Sequence, residues 1–94
     1  MKRLLLLPLV ALSLHAHNDA LYERYYDYYT LGYSYASNSE NSASEAMQVC
    51  HKKTDFAHRD GNYLRSCKLG IKHATDGKTE AKYRDFLREI EHKH

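Results

Sequence analysis

The sequence predicts an all-α fold, a small helical domain built from two antiparallel helical hairpins. Apolar residues recur at spacings of three and four in four stretches of the chain, which is the period of amphipathic helices. Polar segments rich in Ser, Asn, Asp and Gly separate these stretches, as turns do. The only two cysteines, Cys50 and Cys67, flank one such turn, Asp60-Gly61-Asn62, so a bond between them would join two neighbouring antiparallel helices.

The first residues of the chain are typical of a signal peptide. Met1-Lys2-Arg3 is a basic start, and Leu4 to Leu14 is an apolar run that is too short to cross a bilayer as a helix. A cleavage point follows Ala16, so we expect residues 1–16 to be removed and residues 17–94 to form one small all-α domain with no stable membrane anchor. The alternative is an uncleaved anchor. The prediction is an exported protein, periplasmic or secreted.

The charge of this expected mature domain is balanced but unevenly distributed. Lys2 and Arg3 are the only charged residues of the signal segment, and without them the basic and acidic residues are equal in number. Residues 17–49 carry one Arg against five acidic residues, whereas residues 50–94 carry eleven basic residues against seven acidic ones. This dipole favours docking of two halves or two copies, and nucleic-acid binding is not predicted.

A domain of this length has a marginal hydrophobic core unless something reinforces it. In an exported protein, two cysteines predict one disulfide, here between Cys50 and Cys67. Closing a loop of that size stabilises a chain by about 3 kcal/mol in the chain-entropy treatment. A reactive thiol pair is the alternative, but the spacing is not the Cys-x-x-Cys of redox proteins.

The first half of the domain contains two predicted helices. The first runs from about Ala20, behind Asn18-Asp19 as a cap, to Ala36. The polar segment Ser37 to Asn41 is predicted to be a loop. Ser42-Ala43-Ser44-Glu45 then matches a capping box, and the second helix should run from Ala43 to about Ala57.

The second half contains two more predicted helices. The third helix begins near Asn62 and ends at Asp76-Gly77, where glycine can take the left-handed conformation that terminates a helix. Thr79 is predicted to cap the fourth helix, and Glu91–His94 is a polar tail. One side of this last helix carries the apolar residues Ala81, Tyr83, Phe86, Leu87 and Ile90.

The first predicted helix holds seven tyrosines, and they are the candidate protein interface. They form two neighbouring helical stripes: Tyr22, Tyr26, Tyr29 and Tyr33 in one, and Tyr25, Tyr28 and Tyr35 in the other. The alternation Tyr33-Ser34-Tyr35 leaves a β-strand as the alternative for this segment. A helix in a small bundle buries about a third to a half of its circumference, so some rings should be accessible to a partner. The alternative is that the tyrosines fill the core and extend their hydroxyls to water.

A shift of 38 residues reveals a faint internal repeat. It aligns Tyr25 with Tyr63, Leu31-Gly32 with Leu69-Gly70, Ala36 with Ala74, and Ala43 with Ala81. In addition, Tyr28-x2-Leu31-Gly32-x2-Tyr35 resembles the W-x2-L-G-x2-Y signature of tetratricopeptide repeats. The Leu-Gly pairs and the cysteines resemble the related Sel1-like repeats, which include secreted, disulfide-linked versions. The resemblance covers residues 25–92 and implies helical hairpins, although the proline that ends such repeats is missing and Ser66 and His73 stand where aromatic residues belong.

No catalytic residue, metal site or cofactor is predicted. His51, Asp55 and His58 share one helical face, but the two histidines lie about 10.5 Å apart along the axis, too far to bind one zinc ion together. The sequence therefore favours a small exported, non-catalytic protein that binds another protein or itself through the tyrosine-rich helix. The alternative is a periplasmic or extracellular stress or metal-buffering protein that uses its seven histidines.

Overall fold

The computed structural model describes residues 2–92 of the chain, and the side chains of residues 19–91. Over these residues the fold consists of helices without a strand, which confirms the all-α prediction and excludes the β-strand alternative for Tyr33-Ser34-Tyr35. The helices are α1 (Lys2–Ser37), α2 (Ala43–Lys53), α3 (Asn62–Thr75) and α4 (Tyr83–His92), with a 3₁₀ turn at Asp55–Ala57 between α2 and α3.

Helix α1 is longer than predicted, because it begins at Lys2 and includes Asn18-Asp19, the expected cap. The predicted signal peptide, residues 1–16, lies outside the residues whose side chains the structure describes. In the part of the chain that is described, no helix combines the length and the apolar character needed to cross a membrane.

Two predicted helix ends are confirmed by their hydrogen bonds. At the start of α2, the Glu45 amide donates to Ser42 Oγ (3.1 Å) and the Ser42 amide donates to the Glu45 carboxylate (2.8 Å), which is a complete capping box. After α3, Gly77 has a φ of 76°. This left-handed residue allows the Lys78 amide to donate to the His73 carbonyl at 2.9 Å, which closes the helix.

Two other helix ends differ from the prediction. Helix α2 ends at Lys53 rather than near Ala57, because Thr54 leaves helical geometry with a φ of −105° and a ψ of 6°. Its hydroxyl and amide both donate to the Cys50 carbonyl, at 2.8 and 3.1 Å, and so cap the last turn. Helix α4 begins at Tyr83, so that Thr79 does not cap it and residues 78–82 are not helical. Side chains of α1 hold this non-helical segment, as described below.

Helices α1 and α3 cross with their backbones in close approach at two glycines. A Cβ atom on Gly32 would lie 3.2 Å from the Cys67 Cα atom and nearer still to the Cys67 carbonyl. A Cβ atom on Gly70 would lie 2.6 Å from the Tyr33 nitrogen and nearer still to the Tyr29 carbonyl. The two contacts are reciprocal. Gly32 of α1 meets Cys67 of α3, and the residues at the corresponding positions of the 38-residue repeat, Gly70 of α3 and Tyr29 of α1, meet each other. The crossing therefore has approximate two-fold symmetry.

Two groups of buried side chains hold the helices together. One contains Ala46, Cys50, Cys67 and Ile71, where α2 meets α3. The sulfur atoms of Cys50 and Cys67 lie at bonding distance and their Cα atoms are 5.7 Å apart, as predicted for a disulfide across this hairpin. The other group is largely aromatic and joins α1, α3 and α4; it contains Tyr25, Tyr29, Tyr63, Leu69, Phe86 and Ile90.

Candidate protein-binding surface

All seven tyrosines of α1 lie at least partly inside the fold. Tyr25 and Tyr29 are 3% and 0% exposed and come from different predicted stripes. The other five are half-buried: Tyr22, Tyr26, Tyr28, Tyr33 and Tyr35. Both stripes pack inside the fold, because α3 covers one side of α1 and residues 78–82 with α4 cover the adjacent side.

The hydroxyl of Tyr25 fixes the turn between α2 and α3. It donates to Asp60 Oδ2 at 2.6 Å, and the other oxygen of Asp60 accepts the Asn62 amide at 3.1 Å. Burial, followed by this carboxylate, raises the pKa of Tyr25 to about 12, because a phenolate would be dehydrated and would lie against a negative charge. Tyr25 thus serves the fold through both its ring and its hydroxyl.

Three further hydroxyls bind the backbone of residues 78–82. Tyr26 donates to the Ala81 carbonyl at 2.7 Å, Tyr29 accepts the Ala81 amide at 2.7 Å, and Tyr33 donates to the Lys78 carbonyl. Burial is the main reason that the pKa values of Tyr26 and Tyr29 are raised. These bonds satisfy the Lys78 and Ala81 carbonyls and the Ala81 amide in a segment that forms no helical turn of its own.

The most accessible large aromatic side chain of the described residues is Phe56, which is 65% exposed. It lies on the 3₁₀ turn and packs on Tyr63 and Tyr28, with ring centroids 5.3 and 6.0 Å away. Tyr28 and Tyr63 meet edge to face at 5.2 Å, and Tyr63 meets Tyr25 in the same way at 5.0 Å. We call Phe56 and Tyr28 the aromatic patch. The Phe56 ring of this patch is exposed, while the Tyr63 and Tyr25 rings beneath it belong to the core.

Sequence reasoning did not identify Phe56 as a site residue. It assigned residues 43–57 to one continuous helix and searched for the interface among the tyrosines. The available signal was local: a phenylalanine between Asp55 and the polar run His58-Arg59-Asp60 stands apart from the regular apolar spacing of α2. The assignment of the seven α1 tyrosines to an interface stays a prediction, and in this structure Tyr25 and Tyr29 are inside the core.

The histidine cluster noted in the sequence lies on the surface. His51, Asp55 and His58 are exposed, and among residues 19–91 no three His, Cys, Asp or Glu side chains come together in a way that could hold a metal ion. On α3, Arg65 donates to the Ile90 carbonyl at 2.6 Å and so ties the end of α4 to α3. Lys72 pairs with Asp76 at 3.1 Å on the surface, a contact of little energetic weight.

No protein-family model, curated protein or solved structure matches this chain. The resemblance to tetratricopeptide and Sel1-like repeats therefore stays a prediction. The reciprocal glycine contacts of the α1–α3 crossing are compatible with an internal repeat but identify no family.

Proposed function

We propose that this chain is a small exported, non-catalytic protein that binds another protein, or a second copy of itself, at the aromatic patch. The observation that carries the proposal is the 65% exposure of Phe56 on top of packed rings. An exposed aromatic side chain supported by rigid neighbours resembles the anchors that dominate protein interfaces, because its large apolar area is presented with little conformational entropy left to lose.

The α1 tyrosines support this surface in two ways. Tyr28 contributes its half-buried ring to the patch, 6.0 Å from the Phe56 ring. Tyr25 packs against Tyr63 and binds Asp60, so the ring beneath Phe56 and the chain that follows its turn are both held in place. Such preorganisation lowers the cost of ordering a surface when a partner binds.

Export is supported by the disulfide between Cys50 and Cys67, since such bonds persist in oxidising compartments. We expect the mature protein to begin at His17. Intact-mass measurement of material recovered from the extracytoplasmic fraction tests this, and a mass that still includes residues 1–16 would contradict it.

The binding proposal is tested with the variant Phe56→Ser and the matched control Leu21→Ser, which alters another exposed apolar residue, 42% accessible. A hot-spot loss of about 2 kcal/mol corresponds to roughly 30-fold weaker association. We expect Phe56→Ser to melt close to the wild type and to lose self-association in sedimentation or retention of the partner in a pull-down. Leu21→Ser should keep the melting temperature and the association of the wild type.

Sedimentation separates the two kinds of partner, because only self-association depends on the concentration of the protein itself. Wild-type protein that stays monomeric and retains no protein from the extracytoplasmic fraction refutes the proposal. Equal loss of binding in both variants refutes the assignment to Phe56.

A further inference from the structure

A groove of about 170 Å³ lies between α3 and the last turns of α4. Leu69 and Ile90 form its floor and are 8% and 3% exposed. Its edge carries three basic side chains, and no acidic residue of the described part of the chain joins them: Arg65, Lys68 and Lys72. The groove therefore combines an apolar interior with a positively charged edge, and it shares no residue with the aromatic patch.

The α3 residues of the groove lie on one face of the helix. They occupy positions i, i+3, i+4 and i+7, so their side chains are neighbours: Arg65, Lys68, Leu69 and Lys72. Like charges at these spacings repel each other. Lys72 has an acidic partner, Asp76 at 3.1 Å, whereas Lys68 forms no ion pair with any described residue. An anion in the groove would relieve this repulsion.

The acidic residues of α4 do not neutralise this edge. Glu89 lies 3.3 Å from Nε2 of His73, a buried ring whose Nδ1 atom is 2.7 Å from the Tyr29 hydroxyl. Asp85 lines the same separate cavity as Glu89 and His73. Glu91 is exposed and does not line the groove. The charge at the groove is therefore suited to an anionic ligand.

The guanidinium of Arg65 is held in position at the groove. Its Nη1 atom donates to Asn62 Oδ1 at 3.1 Å, and its Nη2 atom donates to the Ile90 carbonyl at 2.6 Å. A guanidinium has five N–H donors, so hydrogens remain for a further acceptor. The planar arrangement of these donors matches a carboxylate. Because the side chain is already ordered, a carboxylate that binds there costs little further conformational entropy.

The volume of the groove limits the apolar part of the ligand. An apolar cavity of about 150 Å³ holds a benzene molecule, and the groove is slightly larger. Sites for drug-sized ligands begin at about 300 Å³, so the groove suits a smaller molecule. The exposed side chains of Lys68 and Lys72 can lay their aliphatic stems beside the floor and keep their ammonium groups at the edge.

We propose that the groove between α3 and α4 binds a small amphipathic carboxylate, with an aliphatic chain of about six carbon atoms. The chain lies on Leu69 and Ile90, and the carboxylate lies at Arg65 and Lys68. The apolar floor distinguishes such a ligand from an inorganic anion, and the charged edge distinguishes it from a neutral alcohol.

Titrations with hexanoate, acetate and hexanol, followed by the methyl resonances of Leu69 and Ile90, test the proposal. Acetate lacks the chain and hexanol lacks the charge. We expect hexanoate to shift these resonances with a dissociation constant on the order of a few millimolar, as suits a ligand of this size. Each buried methylene contributes roughly fourfold in affinity, so acetate should bind at least about tenfold more weakly. Added salt should weaken the binding of hexanoate but not that of hexanol.

The variant Lys68→Gln and the matched control Lys53→Gln each remove one positive charge. Both lysines are exposed, so both variants should melt close to the wild type, but only Lys68 lines the groove. Lys68→Gln should weaken the binding of hexanoate about threefold, as when one exposed charge contact is lost. Lys53→Gln should bind hexanoate like the wild type, and Lys68→Arg should keep the affinity because it keeps the charge.

The proposal is overturned if Leu69 and Ile90 do not respond to hexanoate, or if acetate or hexanol binds equally well. Equal losses in Lys68→Gln and Lys53→Gln also overturn it, because net charge rather than the groove would then attract the anion. A response to tetraglutamate without one to hexanoate would assign the groove to an acidic protein partner. Resonances that shift with the concentration of the protein itself would assign it to a second copy, and either result contradicts the small-molecule site.

Discussion

The close approach of α1 and α3 predicts that a single methyl group at Gly70 is destabilising, although Gly→Ala inside a helix ordinarily stabilises by about 1 kcal/mol. The added Cβ would lie 2.6 Å from the Tyr33 nitrogen. Its neighbours are backbone atoms that cannot rotate away, so the helices must separate. Overpacking of this kind costs about 1–3 kcal/mol, and here we expect the upper end, about 3 kcal/mol. The net loss is about 2 kcal/mol.

A loss of that size lowers the melting temperature of a domain this small by roughly 8–16 °C, which calorimetry or circular dichroism can measure. Gly61→Ala is the matched control, because a Cβ there meets nothing within 4 Å and its φ is −64°. It should melt at or slightly above the wild type. Gly32→Ala should behave like Gly70→Ala, and the double variant should lose less than the sum because the first substitution has already separated the helices. If Gly70→Ala and Gly61→Ala have the same melting temperature, the backbones of α1 and α3 are not in close contact at Gly70.

Three further predictions concern the disulfide, the buried phenols and metals. Reduction of the Cys50–Cys67 bond should lower the free energy of unfolding by about 3 kcal/mol or less, and the native, unreduced protein should show no thiol that reacts with an alkylating reagent. The pKa values of Tyr25 and Tyr83 are raised to about 12, mainly by burial and next by Asp60 and Asp19, respectively. Because the folded state holds these protons more tightly, stability should be intact below pH 10 and fall as the pH rises from about 10 towards 12, and phenolate absorbance should appear late for these residues. Titration of the mature protein with zinc or copper should show no tight stoichiometric site, and calorimetric binding at one equivalent would contradict the non-metal assignment.

The parts of the fold that sequence reasoning predicted correctly rest on local chemistry. Ser42 and Glu45 recognise each other three residues apart, and Gly77 adopts a conformation that other residues avoid. Both signals are complete within a few residues, so they can be identified without a structure. The cysteine pair was also predictable, because the turn between Cys50 and Cys67 brings the two helices together.

The end of α2 at Thr54 was mispredicted although its contacts are local, but the start of α4 and the burial of the tyrosines depend on contacts between distant residues. Nothing near Ala81 indicates that Tyr26 and Tyr29 will bind its backbone, 55 and 52 residues away in sequence, in a segment without helical structure. The same bonds explain why counting tyrosines around a helix could not separate core from surface. A second layer, residues 78–82 with α4, covers rings that the periodicity alone would leave outside.

The bonds of the tyrosine hydroxyls also set the order in which the protein can assemble. The Cys50–Cys67 bond spans 17 residues, and its hairpin can close early. Tyr25, in contrast, reaches 35 residues forward, and the hydroxyl of Tyr29 reaches 44 and 52 residues forward to its two partners. Such distant contacts form slowly. We therefore expect the packing of α1 against residues 78–82 to be completed after the Cys50–Cys67 hairpin has closed.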